Sequence, residues 1–231
     1  PHNQKIIDQV RMVGCFSNIK SADYAQACQE GTIKIIGHDI DEQFLRQVDA
    51  SCLNPEVSRR QGKTLKIVFT NIHGTGGVLI PRALRRRGFQ NVVEVPQQAE
   101  PDGEFPTVES PNPEEQAALD LGIKLAKQQE ADLVIGTDPD ADRVGIAVRG
   151  LDNDFVLITG NQIAALLTYY ICEQRSTNGQ VPANSVLIST IVSSDMMKDI
   201  ARAYGADVIE TLTGFKWIGE WVCKFEQESA I

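Results

Sequence analysis

From residue 64 onward the apolar positions fall into short blocks separated by polar, glycine-bearing stretches, and the blocks alternate between strand and helix spacing. Leu65-Lys-Ile-Val-Phe69 has the length and β-branched content of a buried strand. Residues 71–77 form a glycine-rich turn, and residues 78–87 have helical spacing with Gly88 as the stop. Residues 91–95 are a second strand, followed by a proline-rich loop over 96–111. Asn112-Pro-Glu-Glu115 predicts a helix start, with Asn as cap, Pro in the first turn and acids at the positive end. Ala118, Leu121, Gly122 and Leu125 supply that helix's buried face. Strands at 133–135 and 144–148 flank an acidic loop.

A second unit opens near Asp154. It has a strand at 155–158, a helix at 162–171 and a polar loop at 175–184. A strand at 186–191, a helix at 194–204 and a strand at 207–209 follow, and a loop at 211–217 feeds a last helix. Residues 151–160 read as a hinge between the units. The amino-terminal part is weakly patterned. Residues 5–13 suit a strand or a short helix, and 24–28 are helical. Residues 39–48 form an amphipathic helix with Phe44, Leu45 and Val48 on one side. Asn54-Pro55 and Gln61-Gly62 punctuate a connection. No convincing sequence repeat is present. The alternation predicts an α/β protein: two consecutive α/β units with mixed, mainly parallel sheets flanked by helices.

Composition narrows the partners. The 231 residues carry a net charge of −9, so no global attraction to nucleic acid or an anionic membrane is expected. The basic run Arg82, Arg85, Arg86 and Arg87 reads as the solvated face of its helix. No apolar stretch reaches membrane-spanning length, and no secretory signal opens the chain. The five cysteines have neither zinc nor redox spacing and read as free thiols of a cytoplasmic protein. A start at Pro1-His2 and a stop at 227–231 without a helix-ending signal suggest part of something longer.

The chemistry concentrates in Gly136-Thr-Asp-Pro-Asp-Ala-Asp-Arg143. Asp138, Asp140 and Asp142 fall at every second residue. Three like charges this close repel one another, and a cation relieves that repulsion. Aspartate oxygens suit a hard divalent ion; Mg²⁺ in particular is held by a few carboxylates and a phosphate oxygen. Arg143 is then placed for that phosphate, which guanidinium grips bidentately. An EF-hand would need Gly at position six and Glu at position twelve, where this loop has Arg143 and Arg149. An aspartate-phosphatase nucleophile loop would need its first aspartate, Asp140, directly after the strand. Two further segments invite a ligand. His73-Gly-Thr-Gly-Gly77 could cradle a phosphate, although a tight strand-to-helix turn is the plainer reading. Thr213-Gly-Phe-Lys-Trp217 offers a hydroxyl, a cation and aromatics suited to a phosphosugar, or it is a surface loop with buried aromatics.

Taken in order, Thr70-Asn-Ile-His-Gly-Thr-Gly-Gly77, Pro101-Asp-Gly-Glu-Phe-Pro106, Pro111-Asn-Pro-Glu114, Thr137-Asp-Pro-Asp-Ala-Asp-Arg143, Thr159-Gly-Asn-Gln162 and Thr211-Leu-Thr-Gly-Phe-Lys-Trp217 resemble the α-D-phosphohexomutase superfamily, the phosphoglucomutases and phosphomannomutases. The resemblance covers roughly residues 30–220. It implies residues 1–37 as the tail of domain 1, 38–153 as domain 2 with the metal loop, and 154–231 as part of domain 3. It further implies Mg²⁺ on Asp138, Asp140 and Asp142, Arg143 against a phosphoserine, and Thr213, Gly214 and Lys216 at the sugar. The implied reaction moves a phosphoryl group between sugar positions through a phosphoserine and a bisphosphate. No Ser-His-Asn-Pro-type phosphoserine loop, Glu-Glu-Ser-Gly sugar loop or domain 4 is found. No catalytic residue is therefore assigned here, and the 231 residues alone are expected to be inactive without domains 1 and 4. Two rivals stay open: an aspartate-nucleophile phosphatase using Asp140, and a non-catalytic domain holding a phosphorylated ligand through residues 73–77.

Overall fold

The computed structural model describes residues 2–179, 182 and 184–229. The readings at Pro1, at residues 180, 181 and 183 of the polar loop, and at residues 230–231 lie outside the described residues. The chain divides into two compact units, Pro1–Phe44 and Leu45–Ile231.

The first unit is helical. Helix α1 (His2–Met12) resolves the strand-or-helix ambiguity in favour of helix. Helix α2 (Tyr24–Gln29) is capped by Asp23, whose carboxylate accepts from the Gln26 amide at 2.8 Å. Helix α3 (His38–Ala50) runs across the division. Its predicted stripe is narrower than the pattern suggested: Leu45 is buried and Val48 half-buried, but Phe44 is 54% exposed.

The second unit begins with an element the sequence reading took for a connection. Helix α4 (Pro55–Gln61) has Asn54 as its cap, accepting from the Val57 amide at 3.2 Å, and Pro55 in its first turn. The same residues that punctuate a loop also start a helix. Then come β1 (Lys66–Thr70), α5 (Ile80–Arg86), β2 (Asn91–Glu94), α6 (Gln116–Gln129), β3 (Leu133–Thr137), β4 (Val144–Arg149) and β5 (Phe155–Ile158). These strands form one sheet in the order β2-β1-β3-β4-β5. The β1–β2 and β1–β3 pairs are parallel; β3–β4 and β4–β5 are antiparallel. The strand expected to open the second unit thus completes the first sheet, and residues 155–158 do not act as a hinge.

Helix α6 starts three residues later than predicted. Asn112 does not cap it; its carboxamide oxygen accepts from the Glu114 amide at 3.1 Å, and Glu115 is the flanking residue. A local turn outcompetes the cap. The buried face is rotated accordingly to Ala118, Leu119, Gly122 and Ala126, with Leu121 and Leu125 half-buried. These residues pack with Val68, Ile72, Val95, Val134 and Ala147 into one core. Each fully buried aliphatic side chain there contributes about 1.5–3 kcal/mol. The run read as a solvated basic face is tied down: Arg86 and Arg87 both reach Asp49 at 2.8 Å, and Arg85 reaches Glu94 at 3.0 Å.

Helix α7 (Gly160–Thr177) opens on a capping box between Thr159 and Gln162 and absorbs the first part of the predicted polar loop. After it, β6 (Val186–Thr190), α8 (Asp195–Ala203) and β7 (Asp207–Thr211) form a parallel two-stranded sheet with α8 packed on it. Helix α9 (Phe215–Ser229) follows. The architecture is α/β, with mixed, mainly parallel sheets flanked by helices. No helix among the described residues is long and apolar enough to cross a membrane. All five cysteines are free.

Candidate functional site

The acidic loop is the turn of the β3–β4 hairpin, at the end of β3 where its parallel neighbour β1 also ends. Thr137 is the last strand residue, and Asp138 follows it directly, buried to 1% exposure. The Arg143 amide donates to Asp138 Oδ1 at 2.9 Å, and Arg143 Nε donates to Oδ2 at 2.8 Å. One carboxylate therefore closes the loop on itself. The Ala141 amide donates to the Asp138 carbonyl at 3.0 Å, with Ala141 in the left-handed region at φ +58°. This folding brings the three aspartates together: one ligand oxygen from each of Asp138, Asp140 and Asp142 lies within 4.8 Å of the others. Asp140 and Asp142 are exposed. Asp140 sits in the turn beyond the strand's end rather than leaving the strand directly, as the phosphatase reading would require.

The charges respond to one another. Burial pushes the Asp138 carboxyl up, but the Arg143 amide and guanidinium outweigh it and hold it below the usual carboxylate value. The charge of Asp140, then that of Asp138, holds Asp142 above its ordinary value. The hydrogen bond to Asp138 pushes the Arg143 guanidinium up. The loop is thus a set of hard oxygen donors whose mutual repulsion Arg143 relieves only in part, since Asp142 stays above its ordinary value; a divalent cation would relieve the rest. The donor set fits Mg²⁺. The terminal nitrogens of Arg143 make no hydrogen bond among the described residues, and the side chain is 54% exposed, so it can meet an anion.

The glycine-rich turn lies against this loop, a placement the sequence reading missed. The Thr75 amide and hydroxyl both donate to the Pro139 carbonyl, at 2.8 and 3.0 Å. His73 is buried and engaged: Nδ1 lies 3.3 Å from the Glu100 carbonyl, and Nε2 lies 2.9 Å from the Thr107 hydroxyl. It is a core histidine rather than a ligand-facing one.

Thr213 and Gly214 occupy the turn after β7, with Gly214 at φ +126°. Lys216 and Trp217 lie in the first turn of α9 rather than in a loop, and the Lys216 ammonium stands 4.8 Å from the Trp217 ring centroid. Thr213, Gly214 and Lys216 are exposed. Among the described residues no hydrogen bond or ion pair links them to the acidic loop.

Comparison with known proteins identifies the family and the fold. The family model described as phosphoglucomutase/phosphomannomutase, alpha/beta/alpha domain II matches residues 42–151, and that described as domain III matches residues 159–226. A phosphoglucomutase of Staphylococcus saprophyticus is 32% identical over 220 residues, covering 95% of this chain and 38% of that protein. A human glucose 1,6-bisphosphate synthase is 37% identical over 186 residues, covering 78% of this chain and 29% of that protein. The crystal structure of a phosphoglucomutase/phosphomannomutase family protein from Burkholderia thailandensis shares the fold, with TM-score 0.56, 20% identity and coverage of 82% of this chain and 42% of that one. The chain spans well under half the length of these proteins. With both domain descriptions matched in order, the chain belongs to the phosphoglucomutase/phosphomannomutase family, within the α-D-phosphohexomutase superfamily.

Proposed function

We propose that this chain supplies the metal-loop domain and part of the sugar-recognition domain of a Mg²⁺-dependent cytoplasmic phosphosugar mutase. Residues 1–37 would be the tail of domain 1, residues 38–153 domain 2, and residues 154–231 part of domain 3, except that β5 (Phe155–Ile158) pairs into the domain 2 sheet. The observation that carries the reading is the convergence of Asp138, Asp140 and Asp142 within 4.8 Å around a loop closed by Arg143.

In this reading Asp138, Asp140 and Asp142 hold Mg²⁺, which when bound offsets charge on a transferring phosphoryl group. Asp138 has a second duty, since it also fixes Arg143. Nε is committed to Asp138, so the guanidinium plane is oriented before any ligand arrives, and the terminal nitrogens meet the oxygens of the phosphoserine. Thr213 and Gly214 line the sugar. Lys216 adds a cation for the sugar's phosphate. The phosphoserine belongs to domain 1 and the remaining phosphate contacts to domain 4, so the 231 residues alone would not turn over.

The test is a mutase assay on the whole protein. Asp142→Ala should lower turnover by orders of magnitude, because the metal stabilises transferring charge. Turnover at the unaltered level in that variant would sink the reading, as would sustained conversion of glucose 1-phosphate to glucose 6-phosphate by the 231 residues alone.

A further inference from the structure

The turn at residues 71–77 is built at an energetic cost that its role as a connection does not require. Ile72 and His73 both stand in the left-handed region, at φ +45° and +60°. For a β-branched residue this is a true outlier, and such backbone is strained. They persist because a buried hydrogen-bond chain leaves the backbone no alternative. The Ile72 amide donates to Thr70 Oγ1 at 3.1 Å, and the Thr70 hydroxyl donates to Gln98 Oε1 at 2.7 Å. Gln98 Nε2 donates to Thr107 Oγ1 at 3.1 Å, and that hydroxyl lies 2.9 Å from His73 Nε2. His73 Nδ1 faces the Glu100 carbonyl, and the His73 amide donates to the Gln98 carbonyl at 3.0 Å. Asn71 Nδ2 donates to the carbonyls of Gly74 and Ala99, at 2.7 and 3.0 Å.

What this rigid turn presents is Gly74-Thr75, and both residues are aimed at Pro139. A Cβ on Gly74 would lie 2.3 Å from Pro139 Cα and 2.5 Å from its carbonyl oxygen. The dihedrals of Gly74, φ −99° and ψ −165°, suit any residue. Glycine is therefore needed for the approach, not for its conformation. Thr75 donates twice to the carbonyl of Pro139, which belongs to the peptide plane from which Asp140 departs.

We infer that Gly74 and Thr75 are positioning residues of the metal site: the turn at 71–77 is a seat that fixes the Pro139–Asp140 peptide, and through it the place of the Asp140 carboxylate. This rests on the reading of Asp138, Asp140 and Asp142 as the metal's ligands. The seat is a device for preorganisation, in which rigidity held by the 98–107 segment is passed to an exposed acidic turn.

Two readings on the 231-residue chain test this: Mn²⁺ or Mg²⁺ affinity by calorimetry, and hydrogen exchange of the Ala141 amide. Thr75→Val, which loses one of two hydrogen bonds, should bind the ion about threefold to tenfold more weakly. Thr75→Ser should restore affinity, with both variants fully folded at the temperature of the titration. Gly74→Ala should weaken binding further. In Thr75→Val the Ala141 amide should exchange faster, with or without metal. Unaltered affinity and unaltered Ala141 exchange in Thr75→Val would overturn the seat while leaving the metal reading intact. Failure of the unaltered chain to bind, or binding indifferent to Asp140→Asn, would overturn the metal reading, and the Ala141 exchange would still decide the seat.

Discussion

Gly145→Ala should unfold this protein at a markedly lower temperature. Gly145 and Gly136 face each other across the β3–β4 ladder at the base of the acidic loop. The Pro113 segment lies on this glycine pair. A Cβ at position 145 would stand 1.9 Å from the Pro113 carbonyl oxygen and 2.5 Å from its carbonyl carbon. Real contacts of this kind are not closer than 3.0 Å, so one backbone must yield by more than 1 Å. The Pro113 side cannot yield freely. Pro113 is buried, and the turn around it is tied by the Glu115 amide to the Asn112 carbonyl at 3.0 Å and by the Glu114 amide to the Asn112 side chain at 3.1 Å. Overpacking against main chain belongs at the upper end of the usual range, about 3 kcal/mol. For a chain of this size that lowers the unfolding midpoint by roughly 6–12 °C. Thermal unfolding followed by circular dichroism measures it directly. Gly103→Ala is the control, since nothing lies within 4 Å of a Cβ there. A Gly145→Ala midpoint within 1–2 °C of the unaltered protein (under about 1 kcal/mol) would refute the claim that close approach, rather than chance, keeps glycine at the base of the loop.

Three other outcomes follow from the same geometry. Gly219 lies inside α9 with open space around its Cβ position, so Gly219→Ala should stabilise by about 0.5–1 kcal/mol in denaturant unfolding. Tyr204 donates to Glu173 at 2.6 Å, and its hydroxyl is pushed up to about 12, first by that hydrogen bond. Its folded value exceeds the ordinary 10.0, so its contribution to stability is complete below pH 10 and is lost as pH rises toward about 12. An ultraviolet titration should show one late-ionising tyrosine that Tyr204→Phe removes. Arg143→Lys keeps the backbone amide contact but loses the Nε contact to Asp138, so the Asp138 carboxyl should titrate higher by NMR; an unmoved titration would count against the Arg143 side chain as the closing group.

Much of this architecture is legible in the residues, because strands β1, β3, β4, β6 and β7 carry compact apolar blocks and Thr159-Gly-Asn-Gln162 spells its own capping box. The misreadings share a cause. Asn-Pro-Glu occurs twice, at 54–56 and 112–114; at the first it caps a helix, and at the second the asparagine makes a turn of its own. At the second, the local turn goes with Pro113 lying against Gly145, a contact 32 residues away along the chain that the sequence does not show. The pairing of β5 with β4 was likewise hidden, since a short apolar strand does not announce its neighbour. At the site, three aspartates at alternate positions with an adjacent arginine were visible as a candidate cation site from charge alone. The seat beneath them was not. The motif at 73–77 reads as a phosphate cradle or a tight turn, and only the fold sets Gly74 against Pro139.

Asp138, Asp140 and Asp142 are proposed above to form one cation site. Calorimetric titration of Mg²⁺ into the 231-residue chain, with Asp140→Asn beside it, tests this most directly. One weakly bound ion per chain is expected, weak because three carboxylates without a phosphate oxygen leave the octahedron incomplete, with that binding lost in Asp140→Asn. Tight binding that survives Asp140→Asn unchanged would contradict it.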